Sequence, residues 1–116
     1  MLYSDIDDAR AQHAALKEIV ERHAGAADYR TLRRVLELCR RAAAAIDDRY
    51  CRDKLRLVED FASQLFCHGE QRAEFLQRQI FDALELFASR LYSLETGRRR
   101  TRLGSAEQLH AQAVRA

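Results

Sequence analysis

The strongest constraint on the fold is the near-absence of residues that interrupt helices. The chain contains no proline, and a single glycine, Gly69, falls between Asp28 and Thr96. The other three glycines stand where apolar helical patterns stop. Because glycine is common just beyond a helix C-terminus and proline is the usual helix breaker, this distribution predicts an all-α fold.

Size and patterning together predict the architecture. A chain of 116 residues is long enough for one domain with a modest core. We expect an up-and-down four-helix bundle over residues 1–97. Residues 98–116 are expected to form an arginine-rich tail that can include a short helix beginning at Ser105.

Composition restricts the class of protein. With 47% apolar and 33% charged residues, the chain is typical of a globular protein. Its apolar runs are far too short to span a bilayer, and its acidic N-terminus is unlike a signal peptide. An odd number of cysteines, three, argues against a disulfide framework. We therefore expect a cytoplasmic protein with no membrane partner, and the eighteen arginines against two lysines are compatible with a bacterial source.

Helix boundaries follow from capping residues and from apolar spacings of three and four. They predict helices near 5–24, 29–46, 52–68 and 70–96. Ser4 is expected to begin the first helix and Gly25 to end it, Asp28 to cap the second, and Gly97 to end the fourth.

Each predicted helix carries an apolar stripe that would face a shared core. The stripes are Leu2, Ile6, Ala9, His13, Leu16 and Val20; Leu32, Val35, Leu36, Cys39, Ala43, Ile46 and Tyr50; Leu55, Val58, Ala62, Leu65 and Phe66; and Leu76, Ile80, Ala83, Leu84, Phe87, Leu91 and Leu94.

No glycine or proline separates the predicted second and third helices. The apolar stripe shifts by about a quarter of a turn after Tyr50, and a straight helix over 28–68 would be about 60 Å long. A turn or sharp kink near 47–53 is the preferred interpretation, and one bent helix is the alternative.

Formal charge alternates along the chain in a way that favours antiparallel pairing. Residues 1–29 carry a net charge of −3, 30–56 of +5, 57–97 of −4 and 98–116 of +4. Exposed charges are screened within about 10 Å at ordinary salt, so this alternation helps pairing more than it stabilises the fold.

The fourth predicted helix has more apolar surface than one core requires. Phe81, Ala88 and Tyr92 form a second stripe beside the main one, so that about half of the circumference is apolar. Either this helix is central in the bundle, or the second stripe contacts another chain. We predict that these three residues form the interface with a partner protein or with a second copy in a homodimer.

Arginine clusters indicate an alternative function. Arg98, Arg99, Arg100 and Arg102 could contact phosphates and would then form a nucleic-acid-binding segment. The alternative for this segment is a solvated basic tail. A second cluster, on the outer face of the second helix, is subject to the same two interpretations and consists of Arg30, Arg33, Arg34, Arg40 and Arg41.

Catalytic and metal-binding patterns are weak. Cys39, Cys51, Cys67, His68 and His13 include zinc-ligand types, but their spacing lacks the short pairs typical of zinc sites. No phosphate-binding loop or nucleophile motif is recognisable. We therefore expect no catalytic residues, no metal and no cofactor.

The leading functional hypothesis is a small non-enzymatic module for protein–protein interaction, such as an adaptor, chaperone or regulator. A nucleic-acid-binding regulator that uses residues 98–102 is the second hypothesis, and a helical enzyme or metal protein is the third.

Overall fold

In a computed structural model of the chain, four helices pack side by side: α1 (Tyr3–Arg22), α2 (Tyr29–Ala45), α3 (Arg49–His68) and α4 (Ala73–Arg115). The structure describes the backbone of residues 3–22, 28–68 and 72–115 and the side chains of residues 5–22, 28–67 and 72–97. Over these residues there is no strand, and the predicted all-α four-helix bundle is confirmed.

The helices form a square in which each has two neighbours. α1 packs against α2 and α4, and α3 packs against α2 and α4. Over the described residues, no Cα atoms of α2 and α4 lie within 8 Å of each other, so these two helices lie diagonally across the bundle. The outer faces of these two helices therefore point in opposite directions.

Asp28 caps α2, as the sequence predicted. Its Oδ1 accepts a hydrogen bond of 3.1 Å from the backbone N–H of Thr31, which satisfies a donor that the first helical turn leaves unpaired. The backbone N–H of Asp28 donates to the carbonyl oxygen of Phe66 over 2.8 Å. This bond joins the start of α2 to the end of α3, so the two helices run antiparallel.

The predicted break between the second and third helices is present, at residues 46–48. Ile46 leaves the helical conformation with φ −126° and ψ 108° while its side chain stays buried. Asp48 then caps the N-terminus of α3, because its Oδ2 accepts a hydrogen bond of 3.0 Å from the backbone N–H of Cys51. A capping aspartate thus makes the turn without glycine or proline, and α3 begins at Arg49 rather than near residue 52.

Most of the predicted stripe residues form the core. The confirmed buried residues are Ile6, Ala9, Leu16 and Val20 on α1; Leu32, Val35 and Cys39 on α2 and Ile46 just after it; Leu55, Val58, Ala62, Leu65 and Phe66 on α3; and Leu76, Ile80, Ala83, Leu84, Phe87 and Leu91 on α4.

The stripe predicted for the second helix was partly wrong. Leu38 and Ala42 are buried, whereas the predicted Leu36 and Ala43 are only half-buried at the edge of the core. Tyr50 is exposed. The physical reason is the turn at 46–48: Tyr50 belongs to α3, whose rotation about its axis differs from that of α2.

The predicted ends of the first and fourth helices also differ from the structure where it describes them. α1 begins at Tyr3 and continues to Arg22, while Gly25 lies outside the described residues. α4 begins at Ala73, and it passes through Gly97 rather than ending there. Glycine in a helix interior costs only about 1 kcal/mol relative to alanine and keeps its backbone N–H, so it does not force a helix to stop.

Candidate functional site

The predicted second stripe of α4 lies beside α1. Gln77, one turn before Phe81, donates from Nε2 to the carbonyl oxygen of Val20 over 3.1 Å, which places this flank of α4 next to α1. Phe81 is half-buried against the core and Ala88 is half-buried, while the Tyr92 side chain is 67% exposed. Along this stripe the side chains change from half-buried at Phe81 and Ala88 to exposed at Tyr92.

Two charged residues complete this surface. Arg78 and Glu85 are exposed and alternate with the three apolar residues at spacings of three and four, so all five lie along one line on the helix. We call this set the α4 stripe: Arg78, Phe81, Glu85, Ala88 and Tyr92. Sequence analysis identified its apolar members but missed the opposite charges that alternate with them.

A second exposed surface, which sequence analysis missed, lies between α3 and α4. It is a shallow depression of about 220 Å³, and we call it the α3–α4 groove. Its lining residues are Tyr50, Leu86, Ser89, Arg90 and Ser93. Leu57 on α3 and Phe75 on α4 are further exposed apolar residues. A spacing of seven residues from Tyr50 to Leu57, and of eleven from Phe75 to Leu86, is the sequence signal that could have indicated these two faces.

Asp48 and Arg90 fix one end of the groove. Arg90 donates from Nε to Asp48 Oδ2 over 3.2 Å and from Nη2 to Oδ1 over 2.9 Å, which is a two-point ion pair between the start of α3 and the middle of α4. Together with the Cys51 backbone N–H, this guanidinium lowers the pKa of Asp48 to about 2. Asp48 thus balances the charge of Arg90, whose side chain remains 40% exposed in the groove.

A second ion pair joins α1 to α4. Arg10 Nη1 lies 2.8 Å from Glu95 Oε2, and Glu95 is only 8% exposed. No local sequence pattern indicates this pair, because its members are far apart in the chain.

His13 lies in the same interface. Its ring is 6.2 Å from that of Phe87, and its Nε2 is buried without a hydrogen-bond partner among the described residues. Burial is the main cause that lowers the pKa of His13. A neutral imidazole packed between two helices is typical of a structural residue, and His13 belongs to the predicted apolar stripe of the first helix.

The three cysteines are free thiols, and two of them lie in unreactive surroundings. Cys39 and Cys51 are buried, and burial is the main cause that raises the pKa of each to about 12. Both thiols are therefore protonated at neutral pH and are poor nucleophiles. Cys67 is half-buried, and the side chain of His68 lies outside the described residues. Within the described set, no three histidine, cysteine or carboxylate side chains come together as a metal site.

The structure describes the side chains of one of the two predicted arginine clusters, the one on α2. Arg98, Arg99, Arg100 and Arg102 fall within the backbone span of α4, but their side chains lie outside the described residues, so the predicted nucleic-acid-binding segment stays a prediction. On the outer face of α2, by contrast, all five predicted arginines are exposed: Arg30, Arg33, Arg34, Arg40 and Arg41.

Comparison of the chain with known protein families, curated proteins and solved structures found no match. Over the described helices there is no apolar stretch long enough to cross a bilayer.

Proposed function

We propose that this protein is a non-enzymatic, cytoplasmic interaction module, such as an adaptor, chaperone or regulator, that associates with a second copy of itself through the α4 stripe. The main support is Tyr92, which is 67% exposed and in line with the half-buried Phe81 and Ala88. An apolar line along a helix that ends on a large exposed aromatic side chain offers a contact surface for another helix.

The charges of the α4 stripe favour a second copy as the partner. Arg78 and Glu85 are two turns apart, exposed and opposite in sign. In a symmetric dimer the same surface meets itself across a two-fold axis. If two α4 helices pack antiparallel about an axis between these residues, Arg78 of each protomer comes within reach of Glu85 of the other, and Tyr92 of each lies at the N-terminal end of the other's α4. The stripe is therefore complementary to its own copy.

The first test replaces the most exposed member of the stripe. We expect Tyr92→Arg to convert the dimer into a monomer at the same protein concentration, because it places a charge in the apolar contact. Light scattering coupled to size-exclusion chromatography, over a range of concentrations, measures the mass. Tyr29→Arg is the matched control, since Tyr29 is 70% exposed at the start of α2, and it should leave the mass unchanged.

Circular dichroism should show the same helix content in the Tyr92→Arg and Tyr29→Arg variants.

Phe81→Asp is expected to give a monomer as well, but it also perturbs the core because Phe81 packs against it. Tyr92 is therefore the sharper probe.

Charge reversal tests the antiparallel arrangement. Arg78→Glu alone and Glu85→Arg alone should each weaken the dimer, because each places two like charges together across the axis. The double variant Arg78→Glu/Glu85→Arg should recover most of the affinity. A chain that stays monomeric at every concentration, or a Tyr92→Arg variant that keeps the parent mass, would show that the proposed interface is wrong.

A further inference from the structure

The outer face of α2 carries a concentrated positive charge that the self-association surface does not use. Its five arginines accompany one carboxylate, Glu37, and all five are exposed. α2 packs only against α1 and α3 among the described residues, so this face points away from the α4 stripe. We define the α2 arginine face as the following set: Arg30, Arg33, Arg34, Glu37, Arg40 and Arg41.

The arginines of this face differ in how far their charge is neutralised. Glu37 lies 2.8 Å from Arg41 Nη2 and 3.6 Å from Arg34 Nη1, so one carboxylate is shared between two guanidinium groups. On the neighbouring α3, burial is the main cause that raises the pKa of Glu59, and the nearby charge of Arg40 opposes that rise. Arg30 and Arg33 have no carboxylate within ion-pair distance over the described part of the chain.

The shape of this face suits a linear polyanion. From Arg30 to Arg41 the guanidinium groups follow one helix over about 16 Å, and the Asp28 cap and the packing against α1 and α3 hold that helix in place. A DNA duplex presents one phosphate for about every 1.7 Å of its axis, so several phosphates fall within this length. Guanidinium groups can hold phosphate oxygens through two parallel hydrogen bonds.

The same face is poorly suited to a membrane or to an acidic protein. Both of these partners are normally anchored by large apolar side chains, and Tyr29 is the one large apolar residue exposed on described α2. Tyr29 lies at the N-terminal end of the arginine row, where an aromatic ring can stack on an unpaired base. We infer that the α2 arginine face binds the phosphate backbone of a nucleic acid without reading its sequence.

The test measures binding of the full chain to a short labelled DNA duplex of mixed sequence and to an RNA of the same length, by fluorescence anisotropy at several salt concentrations. Each phosphate contact contributes about −0.9 to the slope of log affinity against log salt concentration for duplex DNA. Arg30→Gln/Arg33→Gln should therefore reduce the magnitude of that slope by about 2 and weaken binding at low salt about tenfold or more.

A variant that gains affinity makes the test independent of folding defects. Glu37→Gln frees Arg34 and Arg41 from their shared carboxylate, so it should strengthen binding and steepen the salt dependence. Asp82→Asn is the matched control, because Asp82 is exposed on α4 and its removal changes the net charge by the same amount. If Asp82→Asn strengthens binding as much as Glu37→Gln does, the total charge rather than this face is responsible, and the proposal is wrong.

Three further outcomes would also overturn the proposal. The first is no detectable binding to either nucleic acid at low salt. The second is that Arg30→Gln/Arg33→Gln binds normally while the variant Arg98→Gln/Arg99→Gln/Arg100→Gln/Arg102→Gln loses binding. That result would assign the activity to the predicted C-terminal segment. The third is that vesicles with anionic lipid, or polyglutamate, bind to the α2 arginine face while the nucleic acids do not.

Discussion

At the scale of single residues, the carboxylate of Asp48 connects three parts of the bundle. It ends the turn after α2, caps α3 through the Cys51 backbone N–H, and holds Arg90 of α4 through two hydrogen bonds. Sequence analysis recognised a break near this position but not the contact with Arg90, because the two residues are 42 positions apart. The cap is a local property, whereas the ion pair exists only after α3 and α4 have packed.

We expect the Asp48 carboxylate to stabilise the fold in a pH-dependent way. Its pKa in the folded state is about 2, below the ordinary value of 3.8, so the unfolded chain takes up the proton first as the pH falls. The stabilisation, about 2 kcal/mol, is therefore complete above about pH 5 and is lost progressively between about pH 5 and pH 1. Urea unfolding at a series of pH values measures it.

Two substitutions at this position separate the cap from the ion pair. Asp48→Asn keeps a good capping residue and removes the charge, so it should abolish this part of the pH dependence. Asp48→Ala also removes the cap and should lower the free energy of unfolding by about 1 kcal/mol more than Asp48→Asn does. Asp47→Asn is the control, because Asp47 is almost fully exposed and its contact with Arg52 is a surface ion pair worth less than about 1 kcal/mol. If Asp47→Asn and Asp48→Asn lowered the free energy of unfolding by the same amount, this account would be contradicted.

At the scale of helices, α4 differs most from what the sequence predicted. It has 43 residues against 20 in α1 and in α3, and Gly97 lies inside it. Among the described side chains, nothing lies within 4 Å of the place where a Cβ would stand at Gly97, so close packing with those residues does not require this glycine. Its position at the end of the apolar stripe made it resemble a helix end, but the helical backbone continues.

The substitution Gly97→Ala distinguishes these two interpretations by the sign of its effect. Inside a helix, alanine should raise the free energy of unfolding by about 1 kcal/mol, because it restricts the unfolded chain and finds free space in the folded one. At a helix end in the left-handed conformation, alanine would instead be destabilising. Thermal unfolding followed by circular dichroism measures the change, and Ala88→Gly in the same helix should show the opposite sign.

At the scale of the whole molecule, the square arrangement separates the two proposed binding surfaces. α2 and α4 are diagonal over the described residues, so the α2 arginine face and the α4 stripe point in opposite directions. On α4 itself, the α4 stripe lies beside α1, whereas the α3–α4 groove lies beside α3. Neither the diagonal placement of α2 and α4 nor these two positions on α4 can be read from the sequence, because both depend on which helices become neighbours.

This separation predicts that the two activities are independent. Tyr92→Arg should lose the dimer and still bind the DNA duplex, with a salt slope per protomer like that of the parent. Arg30→Gln/Arg33→Gln should lose most of the DNA binding and keep the mass of the dimer. Loss of both properties in either variant, with helix content unchanged, would mean that the two surfaces are coupled.

The sequence by itself determined the helical class, the Asp28 cap, the existence of a break near residue 47 and most of the buried stripe residues. These features are local, because a spacing of three and four or a capping side chain acts within a turn or two of helix. Only the tertiary structure decided the buried positions Leu38 and Ala42, the exposure of Tyr50 and the pairs Asp48–Arg90 and Arg10–Glu95. Those features depend on the rotation of each helix about its own axis and on the choice of its neighbours, and both are set by packing between residues far apart in the chain.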